Sequence, residues 1–202
     1  MSHFPRVTGI VLAAGKSSRM GQAKQLLPFR GQTILECVVD NALSSSLQRV
    51  IVVLGYQADL MEPLLQGRDV TVVFNPHFDS GQSSSLKAGL RAVAADAEAA
   101  LFLLGDQPLI TPGTINSILS AFESSPTSPI VLPVYEGRRG NPVLFSRETF
   151  SRLETLTEDC GARPLFAEYA GQILPVAVAD PSIHLDIDTE EEYQRLLLQE
   201  HR

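Results

Sequence analysis

Cysteine is scarce. Cys37 and Cys160 are too few and too far apart to build a disulfide framework or a Cys-based metal motif, and the plain expectation is a reduced, cytoplasmic protein. Net positive charge is absent: 16 Lys and Arg stand against 23 Asp and Glu, for a net charge of −7. That balance argues against a broad nucleic-acid grip, because affinity for a phosphate backbone comes from many clustered cations. No apolar run approaches the ~20 residues of a membrane span. The opening MSHFPRVTGIVLAA carries a short apolar run with no small-residue cleavage site behind it, so no secretory leader is expected. His3, His77 and His184 are not spaced for zinc, His201 lies in the C-terminal tail, and no histidine pairs with a Ser or Cys in a nucleophile pattern. Internal repeats and long linkers are missing too, which leaves one domain over residues 1–202.

What is present is regular. A 44% apolar, 19% charged chain of 202 residues suits a compact α/β domain. Strand-length apolar runs fall at 7–13, 50–54, 70–74, 100–104 and 130–134. Their hydrophobicity is continuous, which predicts a mostly parallel central sheet with helices on both faces. Helical periodicity fills 33–44, 58–65, 84–95 and 112–122, the last opened by the cap pair Thr111 and Pro112. A capping-box pattern, Thr189 with Glu192, precedes Tyr193, Leu196 and Leu197 and predicts a closing amphipathic helix.

The polar residues gather behind the strands, where open parallel sheets bind ligands. Behind the first lies LAAGKSSRMGQAKQLLP, residues 12–28. Backbone N–H groups around Gly15 and Gly21 can close on oxyanions, and Lys16, Arg19 and Lys24 add charge. Neither the dinucleotide spacing nor a Walker G-K-[ST] is present, so this is a different phosphate loop, or else a plain surface turn. Gly105, Asp106, Gln107 and Pro108 follow the fourth strand. A carboxylate there is placed to hold Mg²⁺, and an Asx-type turn is the alternative. In Leu185 to Thr189, Asp186 and Asp188 alternate about Ile187, so both could face one metal, or Asp188 could simply precede the helix. Asn75 leads into Ser83, Ser84 and Ser85, hydroxyls suited to a base, ribose or phosphate edge, or to helix capping alone. GRRGNPVLF, residues 137–145, puts Arg138 and Arg139 in a Gly-rich turn that could bind a second anion or be a hydrated hairpin.

These motifs carry a resemblance. LAAGKSSRMGQAKQLLP resembles the signature of the MobA-like nucleotidyltransferases, and NPHFDSGQSSSLKAGL, GDQP, RRGNPVLF, EDCGARPLF and DIDT together resemble its molybdenum cofactor cytidylyltransferase branch. The resemblance spans residue 9 to about residue 196. It implies a Rossmann-like domain that transfers CMP from CTP to a molybdenum-bearing pterin phosphate, with Mg²⁺, and releases pyrophosphate. Ala14, where related guanylyltransferases carry glycine, favours CTP over GTP.

By the same resemblance Leu12, Ala13, Ala14, Gly15, Lys16, Ser17, Arg19, Lys24, Asn75, Ser83, Ser84, Ser85 and Gly105 bind nucleotide in a part covering about 1–110. Gln107, Pro108, Arg139, Gly140, Asn141, Pro142, Gly161 and Arg163 bind the acceptor in a part covering about 111–202. Asp106, Asp188 and Asp186 are the metal candidates, and Lys24, Arg19 and Asp106 the catalytic ones. The chain departs from the branch at 158–163, which lacks one glycine and one arginine, and at Asn141, where histidine is common. A different phosphorylated acceptor, GTP, or a chaperone that delivers cofactor to a molybdoenzyme client are the alternative readings.

Overall fold

A computed structural model describes residues 6–16, 20–157 and 161–199. Along the chain run β1 (Val7–Ala13), a 3₁₀ turn at Lys24–Leu26, the short pair β2 (Pro28–Phe29) and β3 (Gln32–Thr33), α1 (Ile34–Leu43), β4 (Arg49–Leu54), α2 (Ala58–Met61) and β5 (Thr71–Phe74). There follow α3 (Gln82–Arg91), β6 (Ala99–Leu104), α4 (Pro112–Ser124), β7 (Ile130–Tyr135), β8 (Arg138–Arg139), β9 (Val143–Ser146), α5 (Phe150–Glu154), α6 (Arg163–Glu168), β10 (Ile173–Ala177) and α7 (Glu190–Gln199). The main sheet is eight-stranded, in the order β10-β7-β9-β6-β1-β4-β5 with β8 paired to β7. It is mostly parallel; β9 runs antiparallel to both β6 and β7.

Burial on both faces explains the continuous apolar runs. Val7, Val11, Val52 and Leu101 pack on one face with Leu35 and Val39 of α1 and Ile115 and Phe122 of α4. Ile10, Val53 and Phe102 pack on the other with Leu86 and Leu90 of α3, Leu153 of α5 and Leu165 of α6. A third cluster joins Phe29, Ile34 and Cys37 to Ile187, Tyr193 and Leu196, and so docks α7 beside the start of α1.

The strand expected at 7–13 is β1 without change, whereas that at 70–74 begins at Thr71. Residues 58–65 form a single α-turn and then a 3₁₀ turn around Pro63, whose ring removes an N–H from the ladder. The helix expected at 84–95 spans 82–91, because Gly81, with φ of 91°, turns the chain into it without any side-chain cap. The helix of 112–122 runs on to Ser124. β10 and α6 are elements that periodicity did not foresee. Both expected caps form: Thr111 accepts from the Thr114 N–H, and Thr189 and Glu192 bond each other's backbone N–H groups. Among the described residues no helix is long and apolar enough to cross a membrane.

From β1 the chain steps outward to β4 and β5, then returns to β6 on the opposite side of β1. The crevice between the carboxyl ends of β1 and β6 is therefore the topological switch point.

Candidate active site

A cleft of about 960 Å³ opens at that point. Strand alternation turns Ala13 into the α1 and α4 core and leaves Leu12, Ala14, Gly15 and Lys16 on the cleft wall. Gly105 brings the end of β6 against the end of β1: its N–H donates to Leu12 O at 2.9 Å, and a Cβ there would stand 2.9 Å from the same oxygen. Asp106, the next residue, enters the cleft at its base.

Lys24 is carried in by the 3₁₀ turn and is 9% exposed. Its ammonium is ion-paired with Asp106 and, at 2.7 Å, with Asp188 Oδ1, on the segment before α7. Burial pulls the Lys24 pKa down, but the two carboxylates, Asp106 foremost, outweigh it and hold the ammonium charged above its usual range. Asp186 lies aside and accepts a 2.6 Å hydrogen bond from Gln107 Nε2. It keeps an exposed edge, yet burial, then the charges of Asp106 and Asp188, pushes its carboxyl up to about 6.

Other expected residues stand behind the wall. Asn75, Ser83 and Ser84 do not line the cleft, while Ser85 does. On the acceptor side Arg163, at the start of α6, reaches the cleft, and Gly161 packs under Gln82, where a Cβ would approach Gln82 Oε1 to 2.6 Å. Gln107 is buried beneath Asp186, and the Pro108 carbonyl accepts from Asn41 Nδ2. Arg138 and Arg139 form the exposed strand β8 of a tight hairpin whose turn residues, Glu136 and Gly137, both have positive φ. Behind that hairpin the chain is pinned to the segment leading to Asp186 and Asp188: the Asn141 N–H donates to Ile183 O, and a Cβ on Gly140 would stand 2.5 Å from that oxygen. Pro142 continues from there into β9 and does not line the cleft. Ser17 and Arg19 lie outside the described residues.

Gln25, Phe78, Asp79, Gly81 and Gln82 also line the cleft and were not anticipated. Lys16 Nζ pairs with Asp79 Oδ1 at 2.6 Å and lies 5.7 Å from the centre of the Phe78 ring, joining the β1 loop to the turn before α3. The signal was present in NPHFDSGQSSSL, but residue chemistry directed attention to its serines instead of the turn that faces the β1 loop.

Among the described residues no group of three or more His, Cys, Asp or Glu side chains could hold a metal ion by itself. Hard divalent cations are commonly held by one or two carboxylates together with substrate phosphates. Asp106 and Asp188 are such a pair, since both already converge on one cation, the Lys24 ammonium.

The profile of the MobA-like NTP transferase domain matches residues 9–173. The chain belongs to this family. It is thus a nucleotidyltransferase, and its relatives cover it almost end to end. A molybdenum cofactor cytidylyltransferase of Escherichia coli is 32% identical over 91% of this chain and 92% of its own length. Nicotine blue oxidoreductase of Paenarthrobacter nicotinovorans is 33% identical over 96% of this chain and 98% of its own. The structure of Rv0371c from Mycobacterium tuberculosis in complex with manganese superposes with a TM-score of 0.83 at 32% identity, covering 96% of this chain and 98% of that one. In this MobA-like domain the glycine-rich loop, Lys24 and the carboxylates all meet at one cleft.

Proposed function

We propose that this MobA-like protein transfers CMP from CTP to the phosphate of a molybdenum-bearing pterin and releases pyrophosphate. The observation that carries the reading is the ion-paired triad of Lys24, Asp106 and Asp188 at the switch-point cleft, in which Lys24 and Asp106 are largely buried. An oxygen of the acceptor phosphate attacks the α-phosphorus of CTP, the bond from that phosphorus to the bridging oxygen breaks, and the electron pair leaves on pyrophosphate. Two anions must meet, so the barrier is mainly repulsion and orientation. Asp106 and Asp188 would hold Mg²⁺, which supplies charge neutralisation on the phosphate oxygens. Lys24, released from one or both carboxylates, brings its ammonium to the α-phosphate. The Gly15 loop, with Lys16 and Arg19, receives the departing β- and γ-phosphates, and the Arg163 side orients the acceptor. The acceptor phosphate is already ionised near neutral pH, so no general base is required. The same reading assigns the protein to the cytoplasm and leaves a molybdoenzyme client as a recipient of its product.

Pyrophosphate release is the direct test, with CTP or GTP and Mg²⁺, with and without the molybdenum-loaded pterin. Release that depends on both CTP and pterin, and is lost in Asp106→Ala, supports the proposal. Release only with another phosphorylated acceptor reassigns the substrate. No release from folded protein with active pterin overturns the transferase reading in favour of cofactor delivery.

A further inference from the structure

Asn75 directly follows β5 and is 2% exposed, and its side-chain amide is fully engaged. Nδ2 donates to Ser84 Oγ at 2.9 Å and to Ser85 Oγ at 3.0 Å, and Oδ1 accepts from the His77 backbone N–H at 3.0 Å. Both N–H donors of a primary amide are thereby committed to the first turn of α3. What remains to the two serines differs. The Ser84 hydroxyl turns its proton back to the carbonyls of His77 and Gly81, each 2.8 Å away. Ser85 receives the Asn75 bond, but its own proton has no acceptor among the described residues, although the residue is only 7% exposed and lines the cleft.

A hydroxyl that accepts a hydrogen bond is a stronger donor, and a buried donor without an acceptor is costly. Ser85 is therefore an aimed donor awaiting an acceptor. It is also firmly held. Gly89, one helical turn on, lets α3 lie directly on the sheet, since a Cβ there would stand 2.5 Å from Ile10 Cγ2 and 2.9 Å from Val53 Cγ2. The wall that Ser85 shares with Leu12, Ala14 and Phe78 is neutral, apart from the Lys16–Asp79 pair. Of the other charged side chains lining the cleft, Lys24, Asp106 and Asp188 pair together beside the end of β6, and Arg163 stands apart at the start of α6. Phosphates belong with that charge, and the uncharged wall suits the base.

We infer that Asn75 is a positioning residue for nucleotide choice. It does not touch the ligand; it aims the Ser85 O–H at an acceptor atom on the base. The cleft then favours a base whose edge presents a carbonyl oxygen and an unprotonated ring nitrogen, as cytosine does at O2 and N3. Guanine presents N1–H and a 2-amino group where cytosine presents N3 and O2 and keeps its carbonyl acceptor at the opposite end of that edge, so a donor placed for O2 or N3 meets donors instead. This inference rests on the CTP reading above and goes beyond it by naming how the base is chosen.

Calorimetric titration of the full chain with CTP and with GTP, each with Mg²⁺, tests it. Ser85→Ala deletes the donor. Asn75→Asp keeps the shape of Asn75 but substitutes an acceptor for its N–H, so the Ser85 proton turns away from the cleft. Each variant is expected to weaken CTP binding about tenfold and to lower the preference for CTP over GTP, and the double variant is expected to be no weaker than either single one. If Asn75→Asp does not fold, Asn75→Ala, which frees Ser85 to rotate, takes its place. A lower melting temperature with an unchanged CTP preference means a merely structural role and overturns the inference, as does full additivity in the double variant. Wild-type protein without a CTP preference overturns the CTP reading itself, whereas a wild-type preference retained in both variants overturns this inference alone.

Discussion

At the residue scale, the decisive arrangement is one ammonium between two carboxylates. Lys24 and Asp106 are both largely buried, so their charges are tolerable only together. Lys24→Met keeps the bulk of the stem and removes the charge, which leaves Asp106 and Asp188 facing each other unneutralised. We expect turnover to fall by about 10² to 10³, as for loss of other groups aimed at transition-state charge. Stability should fall by about 2–4 kcal/mol in urea unfolding, toward the low end because Asp188 is 44% exposed and solvent-screened. Adding Asp106→Asn should recover part of the stability and none of the turnover; recovery of neither would refute the charge argument. Lys24, Asp106 and Asp188 were each legible in the sequence as chemistry behind a strand. Their direct pairing was not, because it joins positions 24, 106 and 188 across three loops.

At the element scale, caps and close approaches decide how the site is presented. Helix α1 opens with a capping box in which the Thr33 Oγ accepts from the Glu36 N–H and Glu36 Oε2 accepts from the Thr33 N–H at 2.8 Å. The same glutamate faces Arg68, whose guanidinium also clasps Asp40 and so ties the loop before β5 to α1. Thr33→Ala should therefore cost about 1 kcal/mol, read as a lower urea midpoint with the slope unchanged. Nucleotide affinity should hold, since Thr33 lies away from the cleft; a large loss of affinity would show that α1 helps to shape the site. Periodicity located α1, α3 and α4 to within a few residues. It missed β10, whose Leu174 and Val176 are interleaved with Pro175 and which occupies a sheet edge, where a proline is tolerated.

At the scale of the whole molecule, the cleft unites the end of β1, the end of β6, the start of α3 and the segment before α7, so nucleotide binding should stabilise the fold as a unit. CTP with Mg²⁺ at about 100 times its dissociation constant should add about 2.7 kcal/mol, visible as a rise in melting temperature. Removing divalent metal should abolish that rise without lowering the melting temperature of the free protein, in which Lys24 already balances the carboxylates; a fall in the free protein would mean that metal supports the fold itself. Much of this molecule follows from the sequence alone. Continuous apolar runs specify a sheet buried on both faces, the glycine-rich loop behind β1 marks a candidate anion site, and the order of polar motifs indicates the family. These are signals of local composition and spacing, which a chain carries wherever it folds. Tertiary structure alone decided which of the marked residues face the cleft. Ser85 reaches the cleft while Asn75, behind it, donates to both Ser84 and Ser85, and Phe78, Asp79 and Gln82 enter the wall unannounced. The reason is physical: half a turn of helix or one residue of strand reverses a side chain's direction, and only packing against Ile10, Val53 and the end of β1 determines which direction is inward.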